Sequence, residues 1–231
     1  MSSPTPIELE ALYLSLKVAC WSLFATLPLG LFTAWILARK KFYGHTLLNS
    51  IVYLPLVLPP VVISFVLLAM LGRQGPIGEL LYNLFGITVI FTWQGAAIAS
   101  AIMSFPLMVR AIRLSIENVG TDLEDTARTL GASPIKVFYS ITLPLIAPGI
   151  LAGTVLAFAR SLGEFGATIT FVSNIPGETR TLPLAIYSFL QTPGGDSGAF
   201  RLVVLSISIA LLSLLISELL AQRVKRQVED K

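Results

Sequence analysis

TDLEDTARTLGASPIKVFYSITLP, Thr121 to Pro144, sets a short run of charge between segments of almost unbroken apolar sequence. Thr121 and Glu124 have the spacing of a capping box, in which the hydroxyl and the carboxylate each satisfy one of the free amides of a first turn. Leu123, Ala127 and Leu130 recur at i, i+4 and i+7 and predict one narrow apolar face. Asp122, Glu124 and Asp125 crowd the end where a helix dipole favours negative charge. Gly131 suits the left-handed position just past the last turn. Ser133 and Pro134 form a cap and first-turn pair, so a second helix starts at once and leads through Lys136, Val137 and Phe138. The reading is a polar helix over about 122–131, a sharp bend, and a helix that enters apolar sequence.

That apolar sequence fixes the class of protein. Of 231 residues, 55% are hydrophobic and 13% charged, where a soluble domain carries about a quarter charged. The lipid bilayer is therefore the solvent. Crossing its core takes about twenty apolar residues, and the runs at 18–38, 47–72, 87–109, 140–162 and 202–221 qualify. The expected fold is all-α, a polytopic membrane helical bundle of about five transmembrane helices, forming one domain over 1–231. Phe165 to Ile175 is too short to cross and is followed by turn-rich NIPGETRTLP and TPGGDSG. We expect the end of span four there, then an extracytoplasmic loop with a partial re-entrant segment.

Lys and Arg concentrate in RKKFYGH, in the Arg110 to Lys136 connection and in the tail QRVKRQVEDK. By the positive-inside rule the N-terminus lies outside and the C-terminus in the cytoplasm. MSSPTPIELE has no basic leader before the first apolar run, which is expected to remain as a span. The same placement beside the spans accounts for the net charge of +3 without nucleic acid. Cys20 and His45 are the single residues of their types, which excludes a disulfide framework or a cysteine cluster, and no metal site is expected. Pro55, Pro59 and Pro60 predict a kinked second span. The chain has no internal repeat, so a pathway forms more naturally between two copies than within one.

A helix as short as 122–131 is marginal in water and must dock, on its own bundle or on a partner. Asp125, Thr126, Ala127, Gly131, Ile141, Leu143 and Pro144 stand at the spacing of the cytoplasmic signature of binding-protein-dependent ABC importer permeases, which this chain resembles. Asp125 replaces the usual Glu and Thr126 the usual Ala, and Glu124 offers a longer carboxylate alongside. The resemblance implies a helix-in-groove contact on a separate cytoplasmic ATPase, with Leu123, Glu124, Asp125, Ala127, Leu130 and Gly131 as the coupling residues. No stretch matches the phosphate-cradling GxxxxGK[ST] loop, since GRQGPIGEL lacks the lysine. ATP and Mg are thus expected on the partner, and this chain is expected neither to bind a cofactor nor to be an enzyme.

Three further stretches, LPLVLPPVV (Leu54 to Val62), SFPLMVRAIRL (Ser104 to Leu114) and LAFARSLGEFGATITFVSNIPGETRTLP (Leu156 to Pro183), resemble the permease subunit of molybdate importers. The resemblance implies a bacterial cytoplasmic (inner) membrane protein that pairs with a second copy of itself. It further implies two cytoplasmic ATPase subunits and an extracytoplasmic molybdate-binding protein. Molybdate is the implied cargo and tungstate a second oxyanion; sulfate and thiosulfate permeases share parts of the pattern and are the alternative. An ATPase-independent channel or secondary carrier is the alternative outside the class, and the capped cytoplasmic helix weighs against it. Arg160 and Glu164, at i, i+4, fall about 25 Å from the inner end of their helix, toward the outer half. With Ser161 and Thr168 they are candidates for the pathway or gate, whether as anion donors, as a structural or gating ion pair, or as a snorkelling pair. Arg180 and Arg201, on or near the outer loop, are candidates for contact with the binding protein, and Lys17 is expected to end its span near headgroups.

Overall fold

A computed structural model describes residues 5–229, which are helical apart from short connections; the final two residues of the basic tail lie outside the described residues. Helix α1 (Pro6–Arg39) begins three turns before its apolar run, because Glu8 accepts the Thr5 amide at 2.9 Å and ion-pairs with Arg201 at 2.7 Å. Chain order continues with α2 (His45–Val57), α3 (Pro60–Leu71), α4 (Pro76–Phe85) and α5 (Trp93–Asn118). Then come α6 (Asp122–Thr129), α7 (Pro134–Val137), α8 (Leu143–Leu162), α9 (Gly166–Val172), α10 (Leu182–Leu190) and α11 (Asp196–Glu229).

Four of these stretches are long and apolar enough to cross a membrane: α1, α5, Pro134–Leu162 and Asp196–Ile216. The run at 47–72 is broken more sharply than a kink. It is the pair α2 and α3, bent by 114°. Leu58 and Pro59 are extended, at ψ 142° and 137°, since a residue followed by proline is driven out of the helical region and here two prolines come in succession. The described residues therefore give four continuous candidate spans, and a fifth if the broken pair counts as one.

The third span starts at Trp93, not at Ile87. Phe91 has a positive φ of 59°, and the Thr92 side chain accepts the Gly95 amide at 3.3 Å, so the helix is capped six residues late. It then continues to Asn118. Small residues on α5, including Ala96, Ala99, Ser100 and Ser104, are buried where α1 and α8 cross it. Gly149 and Gly153 of α8 allow the closest approach: a Cβ at Gly153 would sit 3.0 Å from the Met108 carbonyl oxygen and 3.2 Å from Ile112. Such small residues let membrane helices pack backbone to backbone, which matters where lipid supplies no hydrophobic drive.

Between α7 and α8 the residues Phe138–Thr142 form a π-turn, closed by the Leu143 amide donating to the Phe138 carbonyl. Pro144 follows. Its ring would meet the carbonyl four residues back in a regular α-helix and it has no N–H to give, so the wider turn relieves both conflicts.

The segment expected as mainly an outer loop is largely packed helix. In α9 Ala167, Thr168, Phe171 and Val172 are buried against α3 and α5, and α10 inserts Leu182, Leu184 and Ala185 toward α1 and α11. Turn-rich flanks had marked these runs as too short to span, which is true, but shortness does not prevent burial inside a bundle.

Candidate coupling surface and polar junction

Helix α6 presents two chemically different sides. Leu123 and Leu130 point into open space, Leu130 with 83% of its surface exposed, and Ala127 lies half-buried between them. Ile135 of α7 and Tyr139 of the π-turn are exposed next to them in sequence, so this end of the bundle carries large apolar groups that nothing among the described residues covers. Asp125 is exposed too, with Arg128 at 3.3 Å. Gly131 ends the helix at φ 87°, and the Ser133 hydroxyl accepts the Lys136 amide at 3.4 Å to start α7.

Glu124 belongs to the other side. Thr121 is already helical at its backbone and its hydroxyl makes no cap, so the expected capping box does not form. The Glu124 carboxylate instead turns inward, 7% of the residue remaining exposed, and its Oε1 lies 3.0 Å from Arg39 Nη2 and accepts the Thr142 hydroxyl at 2.9 Å. Arg128 stands 3.6 Å from Oε2, and Arg39 also donates to the Val119 carbonyl at 2.9 Å. One carboxylate thus joins α6 to the C-terminal end of α1 and to the π-turn that precedes α8. Within the chain Glu124 is turned inward, unlike the exposed Leu123 and Leu130. Arg39 had no signal in the sequence as its counterpart, being 85 residues away.

At the far end of α8 a second polar cluster forms around the break before α9. Arg160 Nη1 and Glu164 Oε2 are 2.6 Å apart, and Glu164 Oε1 accepts the Ala167 amide at 2.7 Å, capping α9. Ser161 and Ser22 of α1 are within 3.1 Å of each other. The Ser64 hydroxyl of α3 donates to the Ala167 carbonyl at 3.0 Å. Arg160, Ser161 and Glu164 therefore meet at one junction with α1, α3 and α9. Thr168 is wholly buried but its hydroxyl donates to the Phe165 carbonyl at 2.9 Å, so it is committed to its own helix. Ser22 and Ser64 were missed in the sequence; their signal is a hydroxyl on a helix that is otherwise mostly apolar.

Arg180 is half-buried and donates to Asn174 at 3.0 Å. Arg201 lies in α11, not in a loop, and both Nε and Nη2 reach Glu8 Oε1, at 3.0 and 2.7 Å. Lys17 sits 3.8 Å over the Trp93 ring, a cation–π contact between α1 and α5.

An all-helical bundle of four or five candidate spans, with leucines exposed on a short polar helix, defines an integral membrane protein. Residues 26–226 match the family described as binding-protein-dependent transport system inner membrane component, and the chain belongs to that family. It is 61% identical over 223 residues to the molybdenum transport system permease protein ModB of Escherichia coli (strain K12), covering 96% of this chain and 97% of that one. It is 57% identical over 222 residues to the protein of the same name from Haemophilus influenzae (strain ATCC 51907 / DSM 11121 / KW20 / Rd), covering 96% and 97%. Among solved structures, the fold is shared with a chain of a bacterial alginate ABC transporter crystallised with an alginate pentasaccharide-bound periplasmic protein. The TM-score there is 0.76 at 18% identity, covering 95% of this chain and 80% of that one.

Proposed function

We propose that this chain is the permease subunit of an ATP-driven importer that carries molybdate, and tungstate as a second oxyanion, across the inner membrane. Near full-length identity with the two molybdenum permease proteins carries the choice of cargo. The reading further assigns a homodimer, with N-termini outside and C-termini in the cytoplasm, and an extracytoplasmic binding protein that delivers the anion. Two ATPase subunits use Mg and ATP beneath it, each receiving the face of α6 made by Leu123, Ala127 and Leu130. The exposure of that face supports the docking, because an uncovered apolar surface in water is a surface awaiting a partner. ATP binding turns the dimer from inward-facing to outward-facing, and hydrolysis resets it.

The Arg160–Glu164 pair acts in this reading as a joint in the gate, since its charges are turned to one another. Arg180, held by Asn174 alone among the described side chains, remains a residue that a binding protein can meet; Arg201 is engaged by Glu8. The deciding experiment is uptake of labelled molybdate into vesicles holding permease, ATPase and binding protein, with excess tungstate or sulfate as competitor. Competition by tungstate and not by sulfate is expected. Equal competition by sulfate would move the assignment to a sulfate permease.

A further inference from the structure

A cavity of about 350 Å³ opens between the inner ends of α2 and α5, lined by Asn49, Tyr53, Arg110, Arg113, Leu114 and Glu117. Five of these six are polar, in helices otherwise apolar enough to be immersed in lipid. Arg113 is neutralised and held: its Nε donates to Glu117 at 2.7 Å and its Nη1 to Asn49 at 2.6 Å. Arg110 is exposed and has neither a hydrogen bond nor an acidic partner among the described residues. It stands eight residues before Asn118, the last of α5, about 12 Å up the helix at 1.5 Å per residue.

Arg110 directly follows the apolar run 87–109, where Lys and Arg gather at the end of a span, and an exposed guanidinium there, beside a polar cavity, is open to an anion. Two guanidiniums against one carboxylate leave the cavity with an uncompensated positive charge. The planar fork of arginine matches the oxygens of a tetrahedral anion, and a single free fork gives the weak hold that a transport path needs, strong enough to admit and weak enough to release. The cavity also continues outward: Arg113 and Glu117 line a neighbouring cavity that bears Lys40, Lys41 and His45. Cations therefore succeed one another from Arg110 toward the basic connection after α1.

We propose that this cavity is a low-affinity site for a tetrahedral oxyanion at the cytoplasmic end of the permease, with Arg110 as its donor. The placement rests on the function proposed above. The occupant is either the free oxyanion leaving the path or the phosphate of an anionic lipid headgroup, and the two share one chemistry.

The test uses the full permease–ATPase complex in nanodiscs of phosphatidylcholine, with or without phosphatidylglycerol, and tungstate as a heavy probe. With phosphatidylcholine alone, tungstate density is expected beside Arg110, and Arg110→Gln is expected to weaken tungstate binding about tenfold or more, roughly 1.4 kcal/mol per tenfold. Arg110→Lys keeps the charge without the fork and is expected to fall between the two. Should phosphatidylglycerol displace tungstate and stay bound in native mass spectrometry, in an Arg110-dependent manner, the headgroup is the occupant. If neither ligand is found at Arg110 and Arg110→Gln changes neither binding, the proposal is overturned. Density in the wild-type complex decides the matter even if the variant fails to assemble. Molybdate-specific uptake without anion density at Arg110 would defeat this inference alone, whereas lost molybdate specificity with the density present would defeat only the choice of cargo.

Discussion

Glu124 and Arg39 meet at 3.0 Å across 85 residues of sequence, so the short polar helix α6 is clamped to the C-terminal end of the first helix. Thr142 shares the same carboxylate oxygen at 2.9 Å. Under the proposed function, this carboxylate is the contact through which a push on Leu123 or Leu130 reaches α1 and the π-turn before α8.

Removing that clamp should be costly. In Glu124→Ala, Arg39 loses its ion-pair partner while keeping little access to water, a situation worth about 3–5 kcal/mol in buried pairs. A lowered thermal midpoint of the purified permease is expected, with a smaller drop for Glu124→Gln, which can still accept from Thr142. An unchanged midpoint in both would show that the pair carries no load.

The opposite face should behave differently. Leu130→Glu removes no internal contact, since Leu130 is 83% exposed, and surface substitutions of that kind usually stay within about 0.5 kcal/mol of neutral. Permease stability is expected to hold while co-purification of the ATPase and ATP-driven uptake fall. Retained association would place the dock elsewhere.

Gly131 has open space around its Cβ position but a φ of 87°. Gly131→Val should therefore lose about 1–2 kcal/mol locally through backbone strain alone, and Gly131→Asn less, since Asn tolerates that region. Hydrogen exchange of α6 amides in the two variants separates strain from a steric clash with the partner.

At the junction, Arg160→Ala and Glu164→Ala should each impair uptake, because each leaves a charge without its partner 2.6 Å away. If the two serve one another, the double variant is less harmful than the sum of the singles, with a coupling of about 0.5–3 kcal/mol. Strict additivity in a double-mutant cycle of uptake would assign them separate tasks. Glu164→Ala should also expose the α9 amides, as it removes the acceptor for Ala167.

What was legible in the sequence was what local chemistry decides. Gly131 after an amphipathic turn and Ser133–Pro134 before the next helix are read within a few residues, and so was the family signature they carry. The length of apolar runs gave the class of fold. Two kinds of feature were not legible. Glu124 has a capping partner at Thr121 and an ionic one at Arg39; only the assembled bundle shows that the distant charge wins. Pro59–Pro60 announces a disturbance, but whether the chain kinks or folds back by 114° depends on α9, which receives α3 through Gly166 against Pro60 and Ser64 against Ala167.

The π-turn at Phe138–Thr142 has a bearing on every position after it. A π-turn takes one residue more than an α-turn to close, so the sequence above it runs about 100° out of phase with the sequence below. That offset sets the phase between α7 and the edge of α8 on which Gly149 and Gly153 meet α5. Deleting a single residue between Phe138 and Thr142 would leave nearly all side chains chemically intact yet rotate the glycine edge of α8 away from α5, a fault of angular timing that no inventory of residues would reveal.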